Sequence, residues 1–104
     1  YLDDIRETPE GWFRTYTVEQ TISILETREV THLSLDNDLG EGLLEGFKAL
    51  DWLEEKIFTD KTFPIPIIAI HSDNAYRARM MRQVADKLEI ERIYRELKNE
   101  YKSQ

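Results

Sequence analysis

Two pairs of aspartates in this chain each follow a short apolar segment, an arrangement that could support metal-dependent chemistry. Asp3 and Asp4 follow the first two residues, and Asp36 and Asp38 lie in the segment SLDNDLG, which ends an apolar run. Desolvating a carboxylate at the end of a core strand is costly unless another group pairs with it. Two interpretations are open: a divalent-metal site, or ordinary solvated acids that form turns.

The ligand chemistry of these carboxylates favours a hard cation. Carboxylate oxygens suit Mg²⁺ or Mn²⁺, whereas zinc prefers imidazole or thiolate. The chain has no cysteine, which excludes a disulfide, a thiolate metal site and a cysteine nucleophile. For one acidic pair we would favour turn formation, but two pairs at corresponding positions favour a metal site or phosphate chemistry.

Further polar residues follow the same apolar runs. His71 could protonate a leaving oxygen or hydrogen-bond a phosphate, since an imidazole titrates near neutrality, or it could be satisfied by a backbone carbonyl. Ser72 and Asn74 could bind phosphate or cap the next helix, whose N-terminal N–H groups would face an anion in either case. Arg6 could hold a phosphate bidentately or neutralise the acids. His32, inside a predicted strand, is assigned a structural role.

The elements that must position these residues alternate between strands and helices. The pattern predicts strands that end at residue 2 and that span residues 12–16, 30–35 and 67–70. The continuous apolar run at 67–70 predicts a strand covered on both faces. Thr17 opens the first helix with capping-box spacing to Gln20.

Two further helices are predicted from apolar stripes. The second helix carries Phe47, Leu50, Leu53 and Ile57, and the third carries Ala75, Ala78, Met81, Ala85 and Leu88. Helical spacing continues from Ile90 through Ile93, Tyr94, Leu97 and Tyr101. We expect this C-terminal stripe to pack on the sheet, with an oligomer interface as the alternative.

Alternating strands and helices predict an α/β fold in three layers, a parallel sheet with helices on both faces. The 104 residues, 40% of them apolar, predict a single domain over residues 1–104, with the first strand truncated at its start. Ligands of such sheets bind beyond the carboxyl ends of the strands, at a switch in strand order. The acidic pairs and His71 all follow predicted strands, so we expect them at one edge.

The charge balance limits the partners. The formal charge is −7, with 21 acidic and 14 basic residues, which argues against non-specific binding to duplex DNA or to an anionic membrane. No apolar run reaches the roughly 20 residues needed to span a bilayer, and no signal-peptide pattern opens the chain. A cytoplasmic location is the expectation.

Four motifs in this order resemble the cyclic-phosphate processing receiver-like domain, a divergent form of the response-regulator receiver fold. They are YLDDIR with the following TP and GW, SLDNDLG, GFKALDWLEE and IIAIHSDNAYRARMM, and they span residues 1 to about 81. The resemblance implies a receiver (flavodoxin)-like sheet of about four strands and an acidic pocket for Mg²⁺ or Mn²⁺. It also implies a substrate such as a cyclic nucleotide or an RNA 2′,3′-cyclic phosphate end.

The resemblance also implies roles for individual residues. Asp3 and Asp4 correspond to the metal-binding acidic pair, and Asp36 to the phospho-accepting aspartate of receivers. Asp38 is an acid that receivers generally lack. His71 and Ser72 occupy the place of a receiver Thr/Ser, while Arg6 and Asn74 belong to motifs of this family.

One departure from receivers decides among the functional hypotheses. Receivers need a lysine after a fifth strand, and the segment after Leu88 is predicted helical. Phosphorelay on Asp36 is therefore the weakest hypothesis. The leading one is a metal-dependent phosphodiesterase, a hydrolase in which Asp36, Asp38 and His71 act catalytically, Arg6, Ser72 and Asn74 bind substrate, and Asp3, Asp4 and Asp36 hold the metal. A non-catalytic binder of the same ligands is the alternative.

Overall fold

The computed structural model of the chain describes residues 2, 10–36, 45–71 and 75–103. Helices and strands alternate within these ranges, as the sequence predicts. In chain order they are α1 (Val18–Leu25), β1 (His32–Asp36), α2 (Glu45–Thr59), β2 (Ile67–His71) and α3 (Ala75–Ser103).

The start of α1 follows from its capping residues. Thr17 has an extended backbone and its hydroxyl accepts a hydrogen bond from the Gln20 N–H at 3.1 Å. The Gln20 side chain accepts in return from the Tyr16 N–H at 2.9 Å, one residue earlier than the reciprocal bond of the usual capping box. The predicted helix start is confirmed, with this shift in the second bond.

The sheet is parallel, and its pairing extends beyond the two strands. β1 and β2 pair along their whole length, from His32 opposite Ile67 to Asp36 opposite His71. Leu2 forms isolated parallel bridges to Leu35 and to Thr15. The described residues therefore contain two strands of the roughly four predicted. The strand predicted at residues 12–16 is reduced to the single bridge at Thr15.

The core lies between the sheet and the helices. α2 packs on β1, α3 packs on β2, and α2 contacts both other helices. Burial confirms the predicted stripe of α2, in which Phe47 is only partly buried, and the part of the α3 stripe from Ala78 to Leu88. The burial of Ala75 lies outside the described residues. In the described ranges, the fully buried large side chains are Leu2, Leu35, Leu50, Leu53, Ile57, Met81 and Leu88.

The prediction that β2 is covered on both faces is wrong. Ile67 and Ala69 are exposed on one face, whereas the successive residues Leu33, Ser34 and Leu35 of β1 are all buried. β2 pairs only with β1 among the described strands, so it has the lower burial of an edge strand. An apolar run shows that a segment can be buried on both faces, but the sheet position decides whether it is.

The expectation that the C-terminal stripe packs on the sheet is also wrong. α3 continues as one helix to Ser103, and Ile90, Ile93, Tyr94 and Leu97 are exposed. The side chain of Tyr101, the last residue of that stripe, is outside the described part of the chain. Among the described residues, no helix is long and apolar enough to cross a membrane.

Candidate functional site at the carboxyl edge of the sheet

The strand register brings Asp36 and His71 to the same edge of the sheet. They are the last residues of β1 and β2, and their Cα atoms are partners in the parallel register. Backbones of paired strands lie about 4.8 Å apart, so these two positions are direct neighbours. The sequence prediction that these two strands end at a shared edge is therefore confirmed for the backbone of Asp36 and for His71.

Leu2 extends this edge on the other side of β1. Its N–H donates to the Ser34 carbonyl at 2.8 Å, and it bridges Leu35, the residue before Asp36. Leu2 and Leu35 are both fully buried, which anchors the two segments against each other. In the sequence, Leu2 directly precedes the Asp3–Asp4 pair.

The bridges also define a switch in strand order next to Leu2. Thr15, which follows Leu2 along the chain, pairs on one side of it, and β1 pairs on the other. The lateral order is thus Thr15, Leu2, β1, β2. In open parallel sheets, the crevice at such a switch is where ligands bind, beyond the carboxyl ends of the strands.

Helix α3 begins close to this edge. Its first residue, Ala75, comes four positions after His71, and α3 packs on β2. The N-terminus of a helix presents free N–H groups and a partial positive charge, which favour an anion. The carboxyl edge therefore combines the ends of two strands with the start of a long helix. His71, the last residue of β2 before that helix, is half-buried.

Several predicted site residues lie outside the described residues. They are Asp3, Asp4, Arg6, Asp38, Ser72 and Asn74, and Asp36 is described by its backbone. Within the described part of the chain, no three His, Cys, Asp or Glu side chains form a group that could hold a metal ion. The Mg²⁺ or Mn²⁺ site and its ligands therefore remain predictions.

His32 lies at the amino ends of the paired strands, whereas His71 lies at their carboxyl ends. It opens β1, its Nδ1 lies 3.1 Å from the Thr31 hydroxyl, and its ring meets Trp12 edge-on at 6.2 Å between centroids. A cavity of about 640 Å³ beside these residues is also at this amino edge. The two histidines of the chain thus mark the two ends of the sheet.

A buried threonine pair that holds the Thr15 bridge in place was not predicted from the sequence. Thr15 and Thr21 are both buried, and their hydroxyl oxygens lie 2.7 Å apart. Because Thr15 bridges Leu2, this pair ties α1 to the segment that precedes the first acidic pair. Two threonines six residues apart, one before α1 and one within it, share no periodicity that would have revealed the contact.

The described ion pairs lie away from the carboxyl edge. Arg28 pairs with Asp60 near the amino ends of the strands, at 2.7 Å. Hydrogen bonds from the hydroxyl and the N–H of Thr62, and then from Arg28, lower the pKa of Asp60 to about 2. Hydrogen bonds from Arg92 likewise lower the pKa of Glu89 on α3.

Comparison with known families agrees with the motifs of the sequence. The model of the family described as the cyclic-phosphate processing receiver domain matches residues 1–87. Searches of curated proteins and of solved structures gave no match. The match covers more than half of the chain, and with the parallel sheet it gives a receiver-like α/β fold. The chain therefore belongs to the cyclic-phosphate processing receiver domain family.

Proposed function

We propose that this domain is a metal-dependent phosphodiesterase that opens a cyclic phosphate, either of a nucleotide or of an RNA 2′,3′-cyclic phosphate end. Membership of the family supports a role tied to cyclic-phosphate processing. The observation that carries the proposal is the pairing of Asp36 with His71 at the carboxyl edge, beside the switch in strand order at Leu2.

The donor set fits a hard cation. Asp3, Asp4 and Asp36 offer carboxylate oxygens, which suit Mg²⁺ and Mn²⁺ better than zinc. Leu2 and Leu35, which precede these acids, are bridged across adjacent segments. A bound cation would supply charge to a phosphoryl oxygen and lower the pKa of a coordinated water.

The remaining residues have separate roles in the hydrolysis. A water oxygen attacks phosphorus, the ring P–O bond breaks, and a phosphomonoester with a free hydroxyl results. Asp36 or Asp38 orients the water and accepts its proton, while His71 gives a proton to the departing oxygen. Arg6, Ser72 and Asn74 hold the phosphate oxygens that do not react.

Phosphorelay through Asp36 is disfavoured by the helix that follows the site. Residues 75–103 form a single helix, so the described residues after β2 contain no fifth strand that could deliver a receiver lysine. An acyl phosphate on Asp36 would lack that neutralising cation. Absence of labelling by acetyl phosphate is the corresponding expectation.

The proposal is tested by turnover of a substrate panel with Mg²⁺ or Mn²⁺ and with a chelator control. The panel holds 2′,3′-cyclic, 3′,5′-cyclic and cyclic-oligonucleotide phosphates. Asp36→Asn and His71→Ala are each expected to lower the rate by about two to four orders of magnitude, the usual cost of losing such a group.

Matched controls come from the same residue types elsewhere in the chain. His32→Ala changes the histidine at the opposite sheet edge, and Asp51→Asn changes an exposed aspartate of α2. Both should retain activity. Activity that survives both site substitutions would remove this mechanism. Ligand-dependent thermal stabilisation with the ligand recovered intact would instead identify a binding module.

A further inference from the structure

The C-terminal half of α3 carries a stripe of large apolar side chains that the domain leaves exposed. Ile90, Ile93, Tyr94 and Leu97 have exposed fractions of 69, 44, 59 and 59%. Their spacing of three, four and seven residues places them on one side of the helix. We refer to these four residues as the α3 stripe.

The α3 stripe points away from the domain core. Ala78, Met81, Ala85 and Leu88 form the buried side of the same helix. At 3.6 residues per turn, Ile90 is rotated by about 200° from Leu88, which places the stripe on the opposite side. A helix with apolar residues on two opposed sides can bind a second partner through the side that the core leaves uncovered.

The helix is held firmly while it presents this stripe. The Arg95 guanidinium donates to the Ile57 carbonyl at 2.8 Å and to the Phe63 carbonyl at 3.1 Å. It also donates to Glu91 at 2.9 Å. These bonds fix the core side of α3 against the end of α2 and the loop after it, so little order has to be gained when a partner binds.

The charges around the stripe favour a second copy of the chain as that partner. Residues 89–98 contain three glutamates and three basic residues, so this segment is neutral although the whole chain carries −7. Arg92 is shared between Glu89 and Glu96, which offsets part of the negative charge along one rim of the stripe within the helix. Two copies can therefore meet here without the repulsion expected elsewhere on the surface.

We propose that the α3 stripe is the interface of a symmetric homodimer, in which α3 packs against α3 of a second copy. The four side chains expose about 400 Å² per copy, given that large apolar side chains offer on the order of 150–250 Å² each. Such a patch has the size of the largest apolar patch on a typical monomer, about 300–600 Å², which is often a functional surface. Two copies bury about 800 Å² from the stripe alone, so with the helix rims included the interface falls at the small end of specific complexes.

Sedimentation equilibrium across a concentration series tests the proposal. The unmodified chain is expected to dimerise reversibly with a dissociation constant on the order of 10 µM, as suits an interface of this size. Tyr94→Glu and Leu97→Glu should each weaken association at least about tenfold, because they place a charge in the interface. Both residues are more than half exposed, so circular dichroism should show an unchanged fold.

Tyr76→Glu is the matched control. Tyr76 is 71% exposed on the same helix, and it lies eighteen residues before Tyr94, which is about five turns and about 27 Å. It shares the direction of Tyr94 but not the stripe, so its substitution should leave the dimer intact. A chain that stays monomeric up to about 1 mM, the range of the weakest specific complexes, would overturn the proposal. Equal weakening by Tyr76→Glu and Tyr94→Glu would overturn it as well.

Discussion

The buried threonine pair beside the sheet leads to a prediction about stability that depends on the direction of its hydrogen bonds. The Thr21 hydroxyl donates its one proton to the Thr17 carbonyl at 3.0 Å. Thr21 can then only accept from Thr15, whose hydroxyl oxygen is 2.7 Å away. The Thr15 hydroxyl therefore needs the Thr21 oxygen as its hydrogen-bond acceptor. The Thr21 hydroxyl already has the Thr17 carbonyl as acceptor, so it does not need Thr15.

This asymmetry predicts different costs for two substitutions of equal size. Thr21→Val leaves the Thr15 hydroxyl buried without its acceptor and should cost about 1–3 kcal/mol of the free energy of unfolding. The Thr17 carbonyl keeps the Thr21 N–H at 3.1 Å in that variant. Thr15→Val leaves the Thr21 donor satisfied and should cost about 1 kcal/mol or less.

The double substitution of Thr15 and Thr21 by valine measures the interaction between the two hydroxyls. With both hydroxyls replaced by methyl groups, no unsatisfied donor remains, so the double variant should be more stable than Thr21→Val alone. The coupling free energy should be about 1–2 kcal/mol, a size typical of residues in contact.

Urea unfolding with matched m-values measures these differences. Thr59→Val is the control, since Thr59 is exposed on α2 and its hydroxyl bonds only to carbonyls of its own helix; its change should stay within about 0.5 kcal/mol. A larger cost for Thr15→Val than for Thr21→Val, or two costs that simply add, would contradict this arrangement of hydrogen bonds.

Three further predictions concern the rest of the described structure. The pKa of Asp60 is lowered from 3.8 to about 2, so the ionised carboxylate stabilises the fold above pH 3.8 and this stabilisation is lost as the pH falls to about 2. Asp60→Asn should remove this contribution to the pH dependence of stability, measured by urea unfolding across a pH series. An unchanged pH profile would count against the contacts from Thr62 and Arg28. Arg28 has a φ of +65°, a left-handed conformation that is strained for every residue with a Cβ atom but not for glycine. The Arg28→Gly variant should therefore be more stable than Arg28→Ala by about 1 kcal/mol in thermal unfolding, and equal stability of the two would contradict backbone strain at this position. Leu53→Ala should cost about 2–5 kcal/mol because Leu53 is fully buried, whereas Leu97→Ala, at an exposed position, should cost about 0.5 kcal/mol or less in dilute solution.

Helix positions were the part of the fold best predicted from the sequence. Thr17 and Gln20 mark the start of α1 because a cap is a local contact between residues close in the chain. The stripe of α2 likewise follows from spacing alone. These features need no knowledge of the neighbouring elements, which is why periodicity and capping predict them.

Partners across the fold were predicted less well. The same apolar spacing that identifies a helix cannot say which side meets the core, so Ile90 and Leu97 were expected on the sheet and are exposed. Ile67 was expected to be covered because its run is apolar, but β2 pairs on one side only among the described strands. These outcomes depend on contacts distant in sequence.

From the sequence, the candidate site could be located at the carboxyl edge of the sheet. Parallel strands end together, so Asp36 and His71 were expected as neighbours, and the register confirms it. The position of Leu2 between Thr15 and β1 was not predictable, since an isolated bridge of one residue has no periodicity. Roles of individual side chains depend on geometry that sequence spacing does not contain.

The central claim is that a hard cation binds at the carboxyl edge of the sheet, next to Asp36 and His71. The chain has only two histidines, and they lie at opposite ends of the paired strands, about 13 Å apart along the strand direction. Their imidazole proton resonances therefore report on the two edges separately.

Titration with Mn²⁺, followed by NMR line broadening of these two resonances, tests the claim most directly. Paramagnetic broadening falls with the sixth power of distance, so His71 should broaden strongly at Mn²⁺ levels that leave His32 sharp. Excess Mg²⁺ should reverse the effect, and Asp36→Asn should weaken it, whereas Asp51→Asn should not. Equal broadening of both histidines, or broadening of His32 alone, would contradict a metal site at this edge.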